Sequence, residues 1–356
     1  MTRWGTGVAE AWTFLAPVAG PSPPPEAAGR ATFSVIVAAH DVGDVIGDAL
    51  ASLESQTLAP LEVIVCDDGS TDDLDRALEP FADKIVLLRK SHGGEASAKN
   101  TAAGAARGDY LLILDADDVF LPRRLEALAE LARLRPDLDI LTTDAYLVVG
   151  DRRIRRVYDR SWEFEIADQA RAILQRNFVF GLAAVRRERF REHGGFDESI
   201  RWTTDWDLWM RMILDGSRVG AVAEPLALYR LREGSLTARR KELALGKIMT
   251  LRKAAGNPAL ASVHLPVLQD SLRFYESQLA ALDLDAAVVS AEPGLRRRAV
   301  RVLFLRHAPR SARTTALATL VSPDLARRFL RRRAERSWVG AGGIRVDRER
   351  ETERHA

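Results

Sequence analysis

Acidic side chains directly follow three of the predicted strands, and their type and spacing suit chemistry better than any other feature of the chain. Asp41 follows the first apolar run, Asp68 follows the second, and Asp115, Asp117 and Asp118 follow the fourth. Any one of them could be a turn residue, because Asp-Gly and Asp-Asp are common turn formers. The carboxyl ends of parallel strands, however, meet at one edge of a sheet, where ligands bind. We therefore expect these acids to form one site.

Carboxylates gathered without matching lysine or arginine repel one another unless a cation lies among them. Hard oxygen ligands favour Mg²⁺ or Mn²⁺ over zinc, and Mg²⁺ takes only one or two carboxylates together with phosphate oxygens and water. The sequence has no Gly-x-x-x-x-Gly-Lys-Ser/Thr loop, and no Gly-x-Gly-x-x-Gly follows the first strand. These absences argue against a P-loop nucleotidase and a dinucleotide-binding dehydrogenase. A metal-held diphosphate is the better interpretation.

Strands and helices alternate in the part of the chain that carries these acids. Apolar, β-branched runs predict strands, and apolar residues at helical spacing predict helices. The predicted strands are 33–38, 61–66, 84–89 and 110–114, and the predicted helices are 45–58, 74–81 and 97–106. This alternation predicts an α/β fold with a mostly parallel sheet flanked by helices.

A set of motifs in this order resembles the family-2 glycosyltransferases, which have the nucleotide-sugar-binding GT-A fold. The motifs are Phe33-Ser-Val-Ile-Val, Ser55-Gln56-Thr57, Glu62 to Asp72, Gly93-Gly94, Asn100, Arg107-Gly108-Asp109-Tyr110, Leu114 to Asp118 with Pro122, His193 to Glu198, and Thr204 to Arg211. The resemblance covers about residues 32–236. Each motif alone is weak, but the set is specific.

The resemblance implies roles for the strand-end acids. Asp68 matches the acid assigned to the nucleobase, uracil or a related pyrimidine, and Asp41 lies near that pocket. Asp115 and Asp117 match the DxD element, in which the first acid faces the ribose and the second faces the metal. Asp118 is adjacent and is expected to share either role, so we assign Asp117 and Asp118 to the metal.

Two basic residues are candidates for the diphosphate. Lys99 stands where many relatives have Arg before Asn; the alternative is a solvated helix lysine. Arg232 stands where relatives often have His, so it is either a phosphate counter-charge or an ordinary surface arginine. His40 and Ala38 depart from the Tyr and Thr types often found in the first loop.

The resemblance places the catalytic base at Asp205 in the acceptor half. In an inverting transfer, such a carboxylate removes the proton of the acceptor hydroxyl. Trp202, Trp206 and Trp209 are candidates for stacking on the acceptor sugar. For Trp206 and Trp209 the competing interpretation is a buried helix face.

The function implied is transfer of a sugar, of hexosyl type, from a UDP- or related nucleotide-sugar donor to a hydroxyl of a saccharide or lipid-linked acceptor. Mg²⁺ or Mn²⁺ is the implied cofactor, and envelope or polysaccharide biosynthesis is the implied setting. A non-catalytic nucleotide-sugar-binding scaffold module is the alternative.

Charge divides the chain of 356 residues into two unlike parts. The net charge is +2, but residues 296–356 hold 17 arginines against six acids, or +11, so residues 1–295 carry −9. Helical spacing recurs over 241–255, 266–282 and 295–307, and Ser322-Pro323-Asp324 is typical of a helix start. Such basic amphipathic helices are expected either to contact an anionic membrane through 296–338 or to dock as solvated helices on the body. Nucleic acid is not expected, since no recognised nucleic-acid motif accompanies the arginines.

These patterns predict three regions. Residues 1–30 are expected to be a disordered leader, residues 31–236 a GT-A domain with a nucleotide-sugar half (31–145) and an acceptor half (146–236), and residues 237–356 a basic helical extension. No apolar run reaches the roughly 18–20 residues that a membrane-spanning helix needs. The single cysteine, Cys66, excludes an internal disulfide. A cytoplasmic location, peripheral to the inner membrane face if the tail binds lipid, is the expectation.

Overall fold

Strands and helices alternate in the first part of the chain, as the apolar spacing predicts. The structure is a computed structural model that describes residues 14–15, 29–150, 152–159, 163–231 and 240–336. The strands are β1 (Phe14–Leu15), β2 (Phe33–Ala39), β3 (Glu62–Asp67), β4 (Val86–Arg89), β5 (Tyr110–Ile113), β6 (Val119–Phe120), β7 (Ile140–Val149), β8 (Arg152–Arg156), β9 (Ala184–Arg186) and β10 (Val219–Arg230). The predicted strands thus correspond to β2, β3, β4 and β5.

The helices lie between these strands and continue beyond them. They are α1 (Ile46–Glu54), α2 (Leu74–Leu78), α3 (Glu95–Ala105), α4 (Arg124–Leu134), α5 (Gln169–Gln175), α6 (Arg187–Glu192), α7 (Thr204–Leu214), α8 (Arg240–Ala254), α9 (Leu265–Val289), α10 (Leu295–Phe304), α11 (Arg310–Val321) and α12 (Pro323–Arg336). Short 3-10 helices cover Glu79–Phe81 and Ser262–His264.

The strands form one mixed sheet in the order β1-β10-β7-β9-β5-β2-β3-β4, with β6 on β10 and β8 on β7. The strands that carry the acids, β2, β3 and β5, run parallel with β4. A second parallel pair is β7 with β10. The prediction of an α/β sheet flanked by helices is confirmed. The sheet as a whole is mixed rather than mostly parallel, but β2, β3 and β5 are parallel, which places the loops after them at one edge.

Strand β9 enters the sheet from the later part of the chain and lies antiparallel between β5 and β7. Leu111 of β5 is opposite Val185, and Ile140 of β7 is opposite the same residue. The two expected halves, 31–145 and 146–236, therefore share one continuous sheet. The spacing of apolar residues does not reveal this insertion, because it depends on pairing between distant segments.

Continuous apolar runs form the central strands because both faces of the sheet are covered. Val35 and Val37 of β2 pack into one cluster with α1 and α4, whereas Ile36 packs on the opposite face with α3. The small residues of α3 let that helix lie close to β2 and β3. Cys66 lies at full burial in β3, and burial raises the pKa of its thiol.

Several motif residues hold the sheet together away from the acids. Gly108 donates its amide proton to Ser34 Oγ at 2.8 Å, and a Cβ at this position would lie 2.6 Å from the amide nitrogen of Ser34. Asp109 accepts from the amide of Thr32 at 2.9 Å. A side chain at residue 108 would push β2 and β5 apart. The motif residues Gly108 and Asp109 therefore stabilise the fold.

Asn100 connects α3 to the turn that precedes α7. Its amide donates to the carbonyl of Phe196 at 2.9 Å and accepts from the amide of Phe196 at the same distance. Gly195 has a φ of +70° in this turn, and a Cβ there would lie 2.6 Å from Asn100 Oδ1. The motif Asn and the motif Gly-Gly-Phe therefore form one contact between segments 96 residues apart.

The C-terminal region is helical, as expected, and packs around the 25-residue helix α9. Residues of α9, α10, α11 and α12 form a separate apolar cluster. The sequence predicted α8, α9, α10 and α12 but missed α11, whose alanines and threonines give weak apolar spacing. No helix within the described residues is long and apolar enough to cross a bilayer.

The expected leader contains one paired strand. Phe14 and Leu15 pair antiparallel with Val222 and Ala221 of β10. These two residues satisfy backbone groups that the edge strand β10 would otherwise leave unpaired. Residues 1–13 and 16–28 of the leader, and the expected domain boundary near 236, lie outside the described residues.

Candidate active site

The loops after β2 and β3 are tied together through Asp41. Its Oδ1 accepts from the amide of Thr71 at 2.7 Å, and its own amide donates to Ser70 Oγ at 3.2 Å. Asp41 has a φ of +50°, in the left-handed region that side chains rarely adopt. The amide of Thr71 is the main reason that the pKa of Asp41 lies below its usual value. Asp41 therefore positions the loop beside the nucleotide site expected there.

Asp68 is 2% exposed, and its carboxylate is surrounded by protein donors. Lys90 Nζ donates at 2.8 Å, the amides of Gly93 and Gly94 donate at 2.9 and 2.7 Å, and His92 Nδ1 lies 3.1 Å away. Burial alone would raise the pKa of Asp68, but these donors favour the charged form more strongly and lower the pKa. Asp68 thus holds the loop that leads into α3, and its assignment to the nucleobase stays a prediction.

Replacing Asp68 by Asn should destabilise the fold by about 2 kcal/mol at neutral pH, because a buried charge-assisted network loses its acceptor. Since the folded pKa is below the ordinary value of 3.8, the stabilisation is present above that pH and is lost as the pH falls through the folded pKa. Urea unfolding of both proteins at neutral and acidic pH measures the difference, which should shrink in acid. Asp83→Asn, at an exposed site, is the matched control. Equal stabilities at neutral pH would contradict this role.

Two histidines stack beside Asp68 at the same edge of the sheet. The rings of His40 and His92 lie 4.1 Å apart with an angle of 28° between their planes. Both side chains are exposed, at 41% and 57%. The sequence drew attention to His40 as a departure from relatives but missed His92, whose only signal was its place directly before Gly93-Gly94.

Lys99 lies at the bottom of the site between two carboxylates. The residue is 6% exposed, so it is not a solvated helix lysine. Its Nζ donates to Asp115 Oδ1 at 2.7 Å and to the carboxylate of Glu95, one turn earlier on α3. Burial would lower the pKa of Lys99, but these two carboxylates raise it well above its usual range. Glu95, which the sequence analysis missed, therefore helps to keep Lys99 charged.

The acids after β5 occupy different depths. Asp115 and Asp117 are half-buried, whereas Asp118 is fully buried and accepts from the amide of Arg230 at 2.8 Å. The other carboxylate oxygen of Asp118 has no hydrogen-bond partner among the described residues. Burial, followed by repulsion from Asp115 and Asp117, raises the pKa of Asp118 well above its usual value. Asp118 therefore faces the interior as a carboxyl group that resists ionisation.

The accessible carboxylates fit a divalent ion that is bound together with phosphate. Within the described ranges, no cluster of three or more His, Cys, Asp or Glu side chains is arranged to hold a metal alone. One or two carboxylates are what Mg²⁺ uses when substrate phosphates complete its shell. Asp117 meets this requirement better than Asp118, because its carboxylate is accessible whereas Asp118 is fully buried.

Arg230 closes this side of the site at the end of β10. Its guanidinium pairs with Asp48 of α1 at 2.7 Å, so β10 is fixed to the helix that follows β2. Arg232, predicted to face the diphosphate, lies outside the described residues.

Asp205 lies in the first turn of α7 and is half-buried. Asn177 donates to its Oδ2 at 2.9 Å. Gly181 faces the same oxygen, and a Cβ there would lie 3.6 Å from it. Asn177 therefore fixes the orientation of the carboxylate, while the small residue at 181 leaves space beside it. The sequence analysis missed both residues, since neither belongs to a motif that carries the resemblance.

The electrostatic surroundings of Asp205 connect it to the acids of the other half. Burial is the largest cause of its raised pKa; Lys99 opposes the shift, and Glu95 and Asp115 add to it. The fold thus brings the predicted base within electrostatic range of Lys99, Glu95 and Asp115. A carboxylate with a raised pKa is a stronger base than one in water. The arrangement can accept a proton from a hydroxyl group bound next to it.

The structure corrects two of the three acceptor candidates. Trp206 and Trp209 are 1% and 0% exposed, so neither ring can stack on a bound sugar. Trp206 Nε1 donates to the carbonyl of Ile173 at 2.7 Å, as expected for a core tryptophan. Both rings face inward because they lie on the apolar side of α7. Trp202, which precedes α7, is half-buried and remains the candidate.

Comparisons with known proteins agree with this geometry. Residues 34–194 match the family described as glycosyl transferase family 2. The uncharacterized glycosyltransferase EpsJ of Bacillus subtilis is 31% identical over 57% of this chain and 62% of its own length. The O-antigen biosynthesis protein RfbC of Myxococcus xanthus is 32% identical over 58% of this chain and 16% of its own length. The chain thus spans less than two thirds of these curated relatives.

Solved structures share the fold over most of the chain. TarS 1–349 of Staphylococcus aureus, in complex with UDP, has a TM-score of 0.56 and 16% identity over 90% of this chain and 98% of its own. The mannosyltransferase PcManGT of Pyrobaculum calidifontis, in complex with GDP-Man and Mn²⁺, has a TM-score of 0.56 and 21% identity, covering 86% of this chain and 88% of its own. The expected GT-A fold is confirmed, and residues 34–194 match the family model of glycosyl transferase family 2.

Proposed function

We propose that residues 31–236 transfer a sugar, of hexosyl type, from a nucleoside-diphosphate donor to a hydroxyl of a saccharide or lipid-linked acceptor, with inversion at the anomeric carbon. The observation that carries the proposal is the position of Asp205. This half-buried carboxylate has a raised pKa and is influenced by Asp115 and Lys99, which belong to the nucleotide half. A proton acceptor therefore lies within electrostatic range of the residues expected to hold the donor.

The proposed step joins the acceptor oxygen to the anomeric carbon. As that bond forms, the bond from the anomeric carbon to the diphosphate oxygen breaks, and Asp205 takes the proton of the acceptor hydroxyl. Asn177 holds Oδ2 of Asp205 at 2.9 Å, so the carboxylate keeps one orientation during the transfer. Burial of Asp205 raises its pKa and so makes it a stronger base. The positive charge of Lys99 opposes this shift.

Lys99 and the acids after β5 are proposed to bind the donor. Lys99 holds Asp115, which is expected to face the ribose, and its charge favours a nearby diphosphate. Asp117 would hold Mg²⁺ or Mn²⁺, and this ion supplies positive charge that stabilises the departing diphosphate. A pyrimidine nucleotide such as UDP is the proposed donor group. The UDP complex of TarS supports UDP, whereas the complex of PcManGT with GDP-Man, a purine nucleotide sugar, and Mn²⁺ supports the divalent ion.

The likeness to RfbC, an O-antigen biosynthesis protein, supports polysaccharide biosynthesis as the setting. The acceptor proposed for this setting is a sugar chain or a lipid-linked sugar. Trp202, half-buried just before α7, is the proposed acceptor contact, since aromatic faces stack on sugar rings.

A screen of nucleotide sugars with Mn²⁺ tests this function. UDP-sugars should be hydrolysed slowly in the absence of acceptor and should raise the melting temperature of the protein, because a ligand of the folded state stabilises it. With an α-linked donor, the proton NMR spectrum of the first-formed product should show the β anomer. Retention of configuration would overturn the inverting step. Tight binding without any turnover would indicate the scaffold alternative instead.

A further inference from the structure

Helix α10 turns apolar and cationic side chains to solvent on the same face. Ala299 and Val302 of this helix are buried against the neighbouring helices, at 0% and 1% exposure. On the opposite face, Val300 is 44% exposed and Phe304 is 85% exposed. These two residues are one turn apart, so their side chains are neighbours on the helix surface. Burial of the inward face therefore fixes which side of α10 remains available to a partner.

Arginines flank the exposed apolar pair. Arg297 and Arg301 follow the i, i+3, i+4, i+7 spacing that places them in one stripe with Val300 and Phe304. All four residues are exposed. Helix α10 has no acidic residue in its first turn, and its sequence, LRRRAVRVLF, contains none elsewhere. The face that these four residues form is called the α10 face below.

Among the described residues, no acidic side chain neutralises either arginine of the α10 face. Arg298, which lies outside the face, pairs with Glu292 at 2.9 Å. For Arg297 and Arg301, no ion pair is formed with any residue in the described part of the chain. The α10 face therefore combines an exposed aromatic ring with guanidinium groups that have no such partner. It is complementary to a partner whose outer layer is anionic and whose interior is apolar.

Helix α12 lies within the range 296–338 that was expected either to contact a membrane or to dock on the body, and it docks on the protein. Its Ala326 is fully buried and its Leu330 packs into the cluster around α9. Arg327 donates to the carbonyl of Val288 at 3.0 Å, and Arg333 lies 3.3 Å from Asp285. The apolar side of α12 therefore faces α9. The amphipathic pattern that the sequence shows at 323–336 is explained by this docking.

We propose that the α10 face binds the surface of a bilayer that contains anionic phospholipids. Phe304 and Val300 enter the boundary between headgroups and acyl chains, and Arg297 and Arg301 contact the lipid phosphates. The formal charge of −9 on residues 1–295 is repelled by the same surface. The protein is therefore held with its C-terminal helices toward the lipid and its acidic body turned away.

Co-sedimentation of the full chain with vesicles tests the proposal. The vesicles are phosphatidylcholine with about one third phosphatidylglycerol, compared with phosphatidylcholine alone. Phe304→Ser should reduce the partition coefficient about tenfold, because the ring no longer leaves water. The double change of Arg297 and Arg301 to Gln should reduce it by about fivefold for each charge at low salt. Pure phosphatidylcholine should bind the parent protein much less.

Controls match each change at exposed sites outside the α10 face. Val263→Ser, at a residue 72% exposed, matches the loss of an apolar side chain, and Arg191→Gln on α6 matches the loss of a charge. Both should bind vesicles like the parent. Melting temperatures should be equal throughout, because every substituted side chain is exposed.

Three results would overturn the proposal. The first is that the parent does not sediment with the anionic vesicles. The second is equal sedimentation of the parent and Phe304→Ser. The third is preferential binding of a duplex DNA fragment that depends on Arg297 and Arg301 but is unchanged in Phe304→Ser, which would assign the face to nucleic acid, since phosphate contacts need cations alone.

Discussion

Asp205→Asn should reduce sugar transfer to a small residual rate while leaving donor binding intact. The amide keeps the shape of the carboxylate and can still contact Asn177, but it cannot accept a proton from the acceptor hydroxyl. Loss of a general base lowers kcat by about 10²–10⁴. The dissociation constant for UDP, measured by calorimetry with Mn²⁺, should rise by no more than about threefold, since the base acts on the acceptor. Initial rates at saturating donor measure the loss.

The pH dependence provides a second readout for Asp205. Burial raises its pKa above the ordinary value of 3.8, so the active, ionised form is lost as the pH falls through this raised value. The parent enzyme should therefore show an acid limb in kcat/KM that the residual activity of Asp205→Asn lacks. Asp215→Asn, at the exposed C-terminal end of the same helix, is the control and should keep full activity. Transfer by Asp205→Asn at the parent rate would eliminate Asp205 as the base.

Asp117→Ala should remove the part of nucleotide binding that depends on Mn²⁺. Replacing a residue that merely hydrogen-bonds to a metal ligand lowers metal affinity by about 10–100-fold. Loss of a direct ligand should therefore weaken binding of UDP in Mn²⁺ by at least about tenfold, whereas binding in the presence of a chelator should not change. Isothermal calorimetry with and without Mn²⁺ gives both values.

Asp83→Ala is the control for Asp117→Ala, because Asp83 is an exposed acid in the turn before β4. It should bind UDP with the full response to Mn²⁺. Asp117 is half-buried, so equal melting temperatures of the variants are needed to separate metal loss from local unfolding. An unchanged response to Mn²⁺ in Asp117→Ala would reject the assignment and leave Asp115 and Asp118 as the alternatives.

The strands and helices that carry the acids could be predicted because each is local. The run Phe33 to Ala38 is apolar except for Ser34, since both of its faces are covered, and the break at His40 and Asp41 marks the end of the strand. Convergence of the acids then follows from the parallel arrangement. Three loops do meet at one edge, with Asp41 tied to the loop of Asp68 through Thr71.

Burial and partners could not be predicted, because they depend on contacts between distant segments. Asp68 and Asp117 look equivalent as strand-end acids, yet Asp68 is enclosed by the loop at 90–94. Trp206 and Trp202 are neighbours in sequence, but only Trp206 faces the core. Helical spacing shows that a helix has an apolar side. It does not show whether a protein or a membrane covers that side, as α12 illustrates.

The place of β9 in the sheet has a consequence for synthesis of the chain. The acid-bearing loops are complete once residue 118 has left the ribosome, but β5 then has β2 as its single neighbour. Its other edge stays open until Ala184–Arg186 emerge, and an open strand edge invites pairing with another chain. The hydrogen bond from the amide of Arg230 to Asp118 can form only after Arg230 has been synthesised, which is later still. The residues of the site are therefore synthesised early, but their surroundings form late. A nascent chain stalled between residue 118 and Ala184–Arg186 would expose the edge of β5 to aggregation.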